Sequence, residues 1–212
     1  MNQSSDILFG RVNLPLLDKQ QAFDGILSVP HEKWFWDDYR ATNMLPLMTK
    51  GGVGGALGTA NSRVDKFEWL DYTPKVITEW FDTVVFPWMG KRTRVMALMT
   101  GSYYSNKEHI DCDPHKMGTL QHKFRIVLQG KTSTLYWKTS DGDVYAPEIE
   151  EPFIMDGSWP HGMINRTDEV KITLAAGAPW EGNSSYDNVD VLQSKSEYNL
   201  PKHINLFFKT PR

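Results

Sequence analysis

From Arg94 onward the chain repeats one pattern: short runs in which apolar and polar residues alternate, each closed by a turn signal. Residues 95–100, 123–129, 132–138 and 152–155 are such runs. A polar loop over 101–107, Gly130-Lys131, Asp141-Gly142-Asp143 and Asp156-Gly157 separate them. Alternation with period two places successive side chains on opposite faces of a strand. Many short strands between turns, with helical patterns confined to the N-terminal half, indicate an all-β double-sheet barrel carrying helical support, for which a jelly roll is the natural form. Gly130-Lys131 has the composition of a two-residue hairpin turn joining its two flanking strands.

The first 92 residues supply that support. Residues 7–17 read as a strand or extended arm. Asp18-Lys19-Gln20-Gln21 has a capping-box pattern, and Ala22, Phe23, Ile26 and Leu27 follow at helical spacing until Pro30. The clearest helix begins at Thr73-Pro74, with Thr73 as cap. Val76, Ile77, Trp80, Phe81, Val84 and Val85 form its apolar stripe, ending before Pro87. That stripe belongs on the outer face of a sheet. The aromatic cluster at 31–36 reads as core packing or a helix on the back of a sheet, with a substrate-facing role as the alternative. The glycine-rich stretch 51–58 lacks the Gly-Lys-Ser/Thr ending of a phosphate loop and is either a plain connection or a lid over a site.

The chemistry concentrates in His109-Ile110-Asp111, answered by His161 in Met155-Asp156-Gly157-Ser158-Trp159-Pro160-His161. On an extended strand His109 and Asp111 share a face, which makes two legs of a metal site. A third ligand, His161, completes a two-histidine, one-carboxylate set with open positions. His115 and Asp113 are rivals for the first two places. Lys171 lies ten residues beyond His161, in the alternating run 169–174, after turn-like residues 165–168. A hairpin there would bring positions 161 and 171 together if its loop were odd in length or bulged. Val170, Ile172 and Leu174 then face outward, and Lys171, Thr173 and Ala175 inward.

These residues resemble the 2-oxoglutarate and Fe(II)-dependent oxygenases, specifically the aspartyl/asparaginyl β-hydroxylase-like branch. His109-x-Asp111, residues 121–128 and Asp156-Gly157-Ser158-Trp159-Pro160-His161 with its downstream base carry the resemblance, over roughly residues 94 to 180. It implies a double-stranded β-helix, a cupin-like jelly roll. It also implies Fe(II) held by His109, Asp111 and His161, with 2-oxoglutarate as cosubstrate and Lys171 on its far carboxylate. The usual base in that family is Arg, a bidentate fork that Lys171 lacks, so Arg125 or His122 is expected to share the carboxylate. His122 is equally readable as a satisfied core group. The implied reaction is hydroxylation of a small-molecule, amino-acid or peptidyl substrate by dioxygen, with release of succinate and carbon dioxide. A carboxylate at position 111, rather than a small residue, favours hydroxylation over halogenation. A non-oxygenase cupin-like metal- or small-molecule-binding domain, and a non-catalytic interaction module, are the alternatives.

Length and charge narrow the rest. The 212 residues fit a single domain: helical support and lid over 1–92, a jelly-roll core over 93–180 and a C-terminal extension over 181–212, in which 189–197 reads as a short helix. A net charge of −3 without a basic run argues against nucleic acid as partner. No stretch is apolar for long enough to span a bilayer, and the first residues lack a signal-peptide pattern, so a cytoplasmic protein is expected. A single cysteine, Cys112, excludes an internal disulfide and fits a reducing compartment.

Overall fold

In the computed structural model the described residues are 6–38, 40–50, 67–111, 122–177, 186 and 188–199. Eight strands form the centre: β5 (Arg94–Thr100), β6 (Ser105–His109), β7 (His122–Gln129), β8 (Leu135–Thr139), β9 (Gly142–Tyr145), β10 (Phe153–Asp156), β11 (His161–Ile164) and β12 (Lys171–Gly177). They divide between two antiparallel sheets in the orders β5-β12-β7-β10 and β6-β11-β8-β9. Apart from the β8–β9 hairpin, successive strands thus cross from one sheet to the other around a shared interior, which is the double-stranded β-helix, or jelly roll. The first sheet is widened on one side by β1 (Ile7–Val12) and β13 (Val189–Ser194). On the other it is widened by β3 (Thr42–Lys50), flanked by β2 (Phe35–Asp37) and β4 (Phe67–Trp69).

Helices cover the outer face of this larger sheet. Helix α1 (Lys19–Leu27) is capped by the Asp18 carboxylate, which accepts from the Gln21 backbone N–H. A second helical run is built of α2 (Lys75–Trp80), a π turn (Phe81–Val85) and α3 (Phe86–Met89). It passes the expected stop at Pro87, because a π turn re-routes the ladder just where proline cannot donate. Thr73 does not cap it; its hydroxyl donates to the Leu47 carbonyl instead. The stripe predicted from sequence packs on the core: its Trp80 and Phe81, joined by Trp88 beyond it, pack on Phe124 of β7 at ring-centroid distances of 6.0, 6.1 and 5.7 Å. Phe124 is fully buried, and its truncation to alanine would cost about 3–5 kcal/mol.

Three local expectations give way to the two-sheet topology. Gly130, in the left-handed region at φ 94°, turns the chain out of β7 into a 3-10 turn (Thr132–Thr134) and the other sheet, so β7 and β8 form no hairpin. Likewise β11 pairs with β6 and β8 while β12 pairs with β5 and β7, so no 161–171 hairpin exists and no bulge is needed. Lys171 enters the interior from the opposite sheet. The stretch 189–197, read as a short helix, is strand β13 followed by a 3-10 turn. Pairing with β1, tied by an Arg11–Asp190 ion pair at 2.6 Å, outweighs its weak helical pattern. The glycine-rich stretch 51–58, Cys112, Asp113 and His115 lie outside the described residues.

Between the sheets the interior has two parts. Leu8, Phe9, Val127, Leu135, Trp137, Phe153 and Met155 fill one with apolar side chains. The other is a cavity whose walls are β3, β5, β7 and β12 on one side and β6 and β11 on the other.

Candidate metal centre

Register brings the two histidines together. His161 of β11 is the direct partner of His109 of β6, and their rings lie 4.5 Å apart. Asp111 arrives differently from the extended-strand expectation, since β6 ends at His109. The Asp111 N–H donates to the Gly157 carbonyl at 2.8 Å, docking the residue against the loop that precedes His161. A β-carbon on Gly157 would lie 3.0 Å from the Asp111 Cβ, a contact tight enough that one of the two would have to give by a few tenths of an ångström. Asp111 Oδ1 then lies 3.5 Å from His109 Nε2, and Oδ2 lies 3.3 Å from His161 Nε2. One donor atom from each of the three falls within 4.8 Å of the others.

Both imidazoles are held in the same way. His109 Nδ1 sits 2.8 Å from the Lys107 carbonyl and His161 Nδ1 2.8 Å from the Trp159 carbonyl. Each Nδ1 therefore carries the proton and donates it, which leaves the Nε2 lone pair for a metal ion. His161 Nε2 is buried with no hydrogen-bond partner among the described residues. Burial, with His109 beside it, pushes the His161 imidazole down to about 4, so it is neutral at physiological pH. Burial by itself would raise Asp111; the Lys123 ammonium beside it outweighs that and holds the carboxyl well below its ordinary range. Two imidazoles anchored through Nδ1 and one ionised carboxylate, all buried, are a donor set that fits a divalent transition-metal ion.

The cavity is rich in cations. Lys123 Nζ lies 2.7 Å from Asp111 Oδ2, and Arg125 Nη2 lies 3.6 Å from the same oxygen. Arg40 grips Asp111 Oδ1 through Nε and Nη2, at 3.2 and 2.9 Å, and Asp37 through Nη1 at 2.8 Å. Arg94, at the start of β5, lines the same cavity. Burial pushes Lys123 down to about 8 and also lowers Arg125. The Arg125 Nε and the Thr173 hydroxyl, both buried on inward faces, have no hydrogen-bond partner among the described residues.

The remaining sequence candidates separate. Lys171 is 2% exposed, and its ammonium donates to the Lys131 carbonyl and the Thr134 hydroxyl. Thr173 and Ala175 share its inward face, while Ile172 and Leu174 join the helix-covered core as expected. Burial, with Arg125 nearby, pushes Lys171 down to about 7. His122 is not brought to the site. It lies on the outward face of β7 with Phe124, its Nε2 2.9 Å from the Ile7 carbonyl and its Nδ1 3.0 Å from the Tyr186 hydroxyl. Sequence reasoning missed Arg40, Arg94 and Lys123. For Lys123 a signal existed: two positions before Arg125 on the same strand, it shares that residue's face.

No family model matches this chain, and no curated protein sequence matches it. Solved structures resemble it at low identity. A Pseudomonas putida prolyl-4-hydroxylase superposes with a TM-score of 0.49 at 8% identity, covering 85% of this chain and 97% of that one. An oxidoreductase of the 2OG-Fe(II) oxygenase family from Burkholderia pseudomallei gives 0.49 at 11%, covering 79% and 81%. The viral collagen prolyl hydroxylase of Paramecium Bursaria Chlorella virus-1 gives 0.47 at 10%, covering 76% and 90%. The assignment of the fold here rests on the strand order itself. No helix among the described residues is long and apolar enough to cross a membrane.

Proposed function

We propose that this protein is an Fe(II)- and 2-oxoglutarate-dependent dioxygenase. It would hydroxylate an unactivated C–H bond of a small-molecule, amino-acid or peptidyl substrate and release succinate and carbon dioxide. The observation that carries the reading is the converging set of His109, Asp111 and His161, with each imidazole fixed through Nδ1 to a backbone carbonyl. Three protein ligands on one side of an ion leave positions for a chelating cosubstrate and dioxygen, the arrangement of the two-histidine, one-carboxylate iron oxygenases. The His109-x-Asp111 motif and the base ten residues after His161 keep the aspartyl/asparaginyl β-hydroxylase-like branch as the proposed one.

Each part of the chain then has a task. His109, Asp111 and His161 would hold the iron, whose chemistry when bound is the activation of dioxygen through oxidative decarboxylation of 2-oxoglutarate. Arg125, with a buried donor facing the cavity, and Lys171 with Thr134 behind it, would receive the cosubstrate's far carboxylate by charge-assisted hydrogen bonds. His122, with both ring nitrogens engaged on the outer face, has no part in that contact. Met96 and Leu98 of β5 and Met44 of β3 form an apolar wall that keeps water from the reacting centre.

An anaerobic absorption difference spectrum tests the proposal. Fe(II) and 2-oxoglutarate together should produce a weak visible charge-transfer band that neither produces alone, and His161→Ala should abolish both the band and succinate formation. A folded wild-type protein without the band would refute the oxygenase reading.

A further inference from the structure

We infer that the turn between β2 and β3 is a built support for the metal centre, and that Arg40 is the positioning residue for Asp111 and, through the backbone, for His109. The inference rests on the metal-centre reading above. It concerns the N-terminal region, in which no motif points to the site.

Arg40 reaches two ligands by separate routes. Its guanidinium donates twice to Asp111 Oδ1, at 3.2 and 2.9 Å, and is itself anchored on the buried carboxylate of Asp37 at 2.8 Å. Its carbonyl accepts from the Lys107 N–H at 3.0 Å, and the Lys107 carbonyl is the group 2.8 Å from His109 Nδ1. The Lys107 side chain closes the loop by donating to the Asp38 carbonyl at 2.9 Å. One residue thus fixes the orientation of a carboxylate and, one peptide further on, the orientation of an imidazole. Ala41, directly after it, sits in the left-handed region at φ 53°. A residue with a β-carbon persists there only where its surroundings over-determine the backbone, as these bonds do.

The grip on one oxygen has a chemical consequence. With Oδ1 taken twice by Arg40, Oδ2, turned to His161 Nε2 at 3.3 Å and paired with the Lys123 ammonium at 2.7 Å, is the oxygen left for a metal ion, which would share it with Lys123. Asp111 then offers a metal ion one oxygen rather than two. That conserves a coordination position, which an ion that must also take a chelating cosubstrate and dioxygen needs open. Charge pulls the other way, because a guanidinium beside the ligand repels a dication. The two roles therefore predict opposite signs: an Arg40 acting only as a charge would weaken metal binding, whereas an Arg40 acting as a clamp strengthens it.

Co(II) titration of the purified protein, followed by visible absorption and by competition with a chelator, reads that sign. Arg40→Met should raise the Co(II) dissociation constant by about 10–100-fold, the usual effect of losing a group that orients a ligand, and should change the shape of the Co(II) spectrum. Arg40→Lys keeps the charge without the fork and should not restore the spectrum. Should Arg40→Met fail to fold, Asp37→Asn, which removes only the anchor, should shift affinity and spectrum in the same direction by less. Variants that bind Co(II) as tightly as wild type or more tightly, with an unchanged spectrum, would overturn the inference and leave Arg40 a merely structural residue. Wild-type protein that takes no Co(II) would overturn the metal-centre reading itself.

Discussion

Two lysines point into the same interior and are stabilised by opposite means. Lys123 stands 2.7 Å from the Asp111 carboxylate, and burial moves it only to about 8. The ammonium of Lys171, at the other end of β12, donates to two neutral oxygens, the Lys131 carbonyl and the Thr134 hydroxyl, and falls to about 7. Glu148, the carboxylate whose charge acts on it, is itself bonded to Thr132 and Ser133. A buried cation matched by an anion is part of the scaffold. A buried cation matched only by dipoles carries an unbalanced charge, and an incoming carboxylate improves its situation. The comparison fits the proposed division, with the Asp111 end holding a metal ion and the Lys171 end receiving the cosubstrate.

Removing the anion at the first end should have the largest effect. Asp111→Ala takes from Lys123, Arg40 and Arg125 the carboxylate they share, and breaking a buried ionic network from one side costs about 3–5 kcal/mol. Chemical denaturation should show that loss together with abolished Fe(II) binding. A variant as stable as wild type would mean that the cations at this end do not depend on Asp111, and the contrast between the two lysines would collapse.

What the sequence revealed follows the same division. Short alternating runs announced the jelly roll, and the alternation Lys171-Ile172-Thr173-Leu174 correctly separated inward from outward faces, because local period determines which way a side chain points. The partnership of strands was not legible. The 161–171 hairpin and the Gly130-Lys131 hairpin both assumed that neighbours in sequence pair, whereas β11 and β12, like β7 and β8, lie in different sheets. His122 looked like a site residue because it lies in the same run as Arg125, but three steps along a strand reverse the face. Arg40 lies 71 positions from Asp111 and carries no motif, so only the folded chain reveals it.

At the second end, Lys171→Met should weaken 2-oxoglutarate binding by about 10–100-fold, the worth of one or two charge-assisted hydrogen bonds of about 1.5–3 kcal/mol. Fe(II) affinity should stay unchanged, since Lys171 touches none of the three ligands. Stability should change little, because relief of the buried ammonium offsets the two acceptors left unpaired. Titration of the Fe(II) protein with 2-oxoglutarate measures the first effect, and thermal melting of the metal-free protein the last. Unchanged cosubstrate affinity would transfer the carboxylate contact to Arg125 alone.

The gentlest test is pH. Lys171 in the folded protein titrates near 7, far below its ordinary 10.5, so it is charged below that value and increasingly neutral above it. A carboxylate ligand favours the charged form, so binding takes up a proton. The dissociation constant for 2-oxoglutarate should be flat below about pH 7 and rise by up to about tenfold per pH unit above it, for as long as the bound lysine stays protonated. The same linkage acts on folding with a definite sign. The unfolded chain binds the proton that the folded chain lacks, so the penalty is full below about 7 and fades as pH rises toward 10.5. Lys171→Arg supplies the control: a guanidinium keeps its charge throughout this range, so the variant's binding profile should be flat. A wild-type profile as flat as the variant's would show that Lys171 is charged at all these pH values, and that its two neutral partners hold an ammonium as well as a carboxylate does.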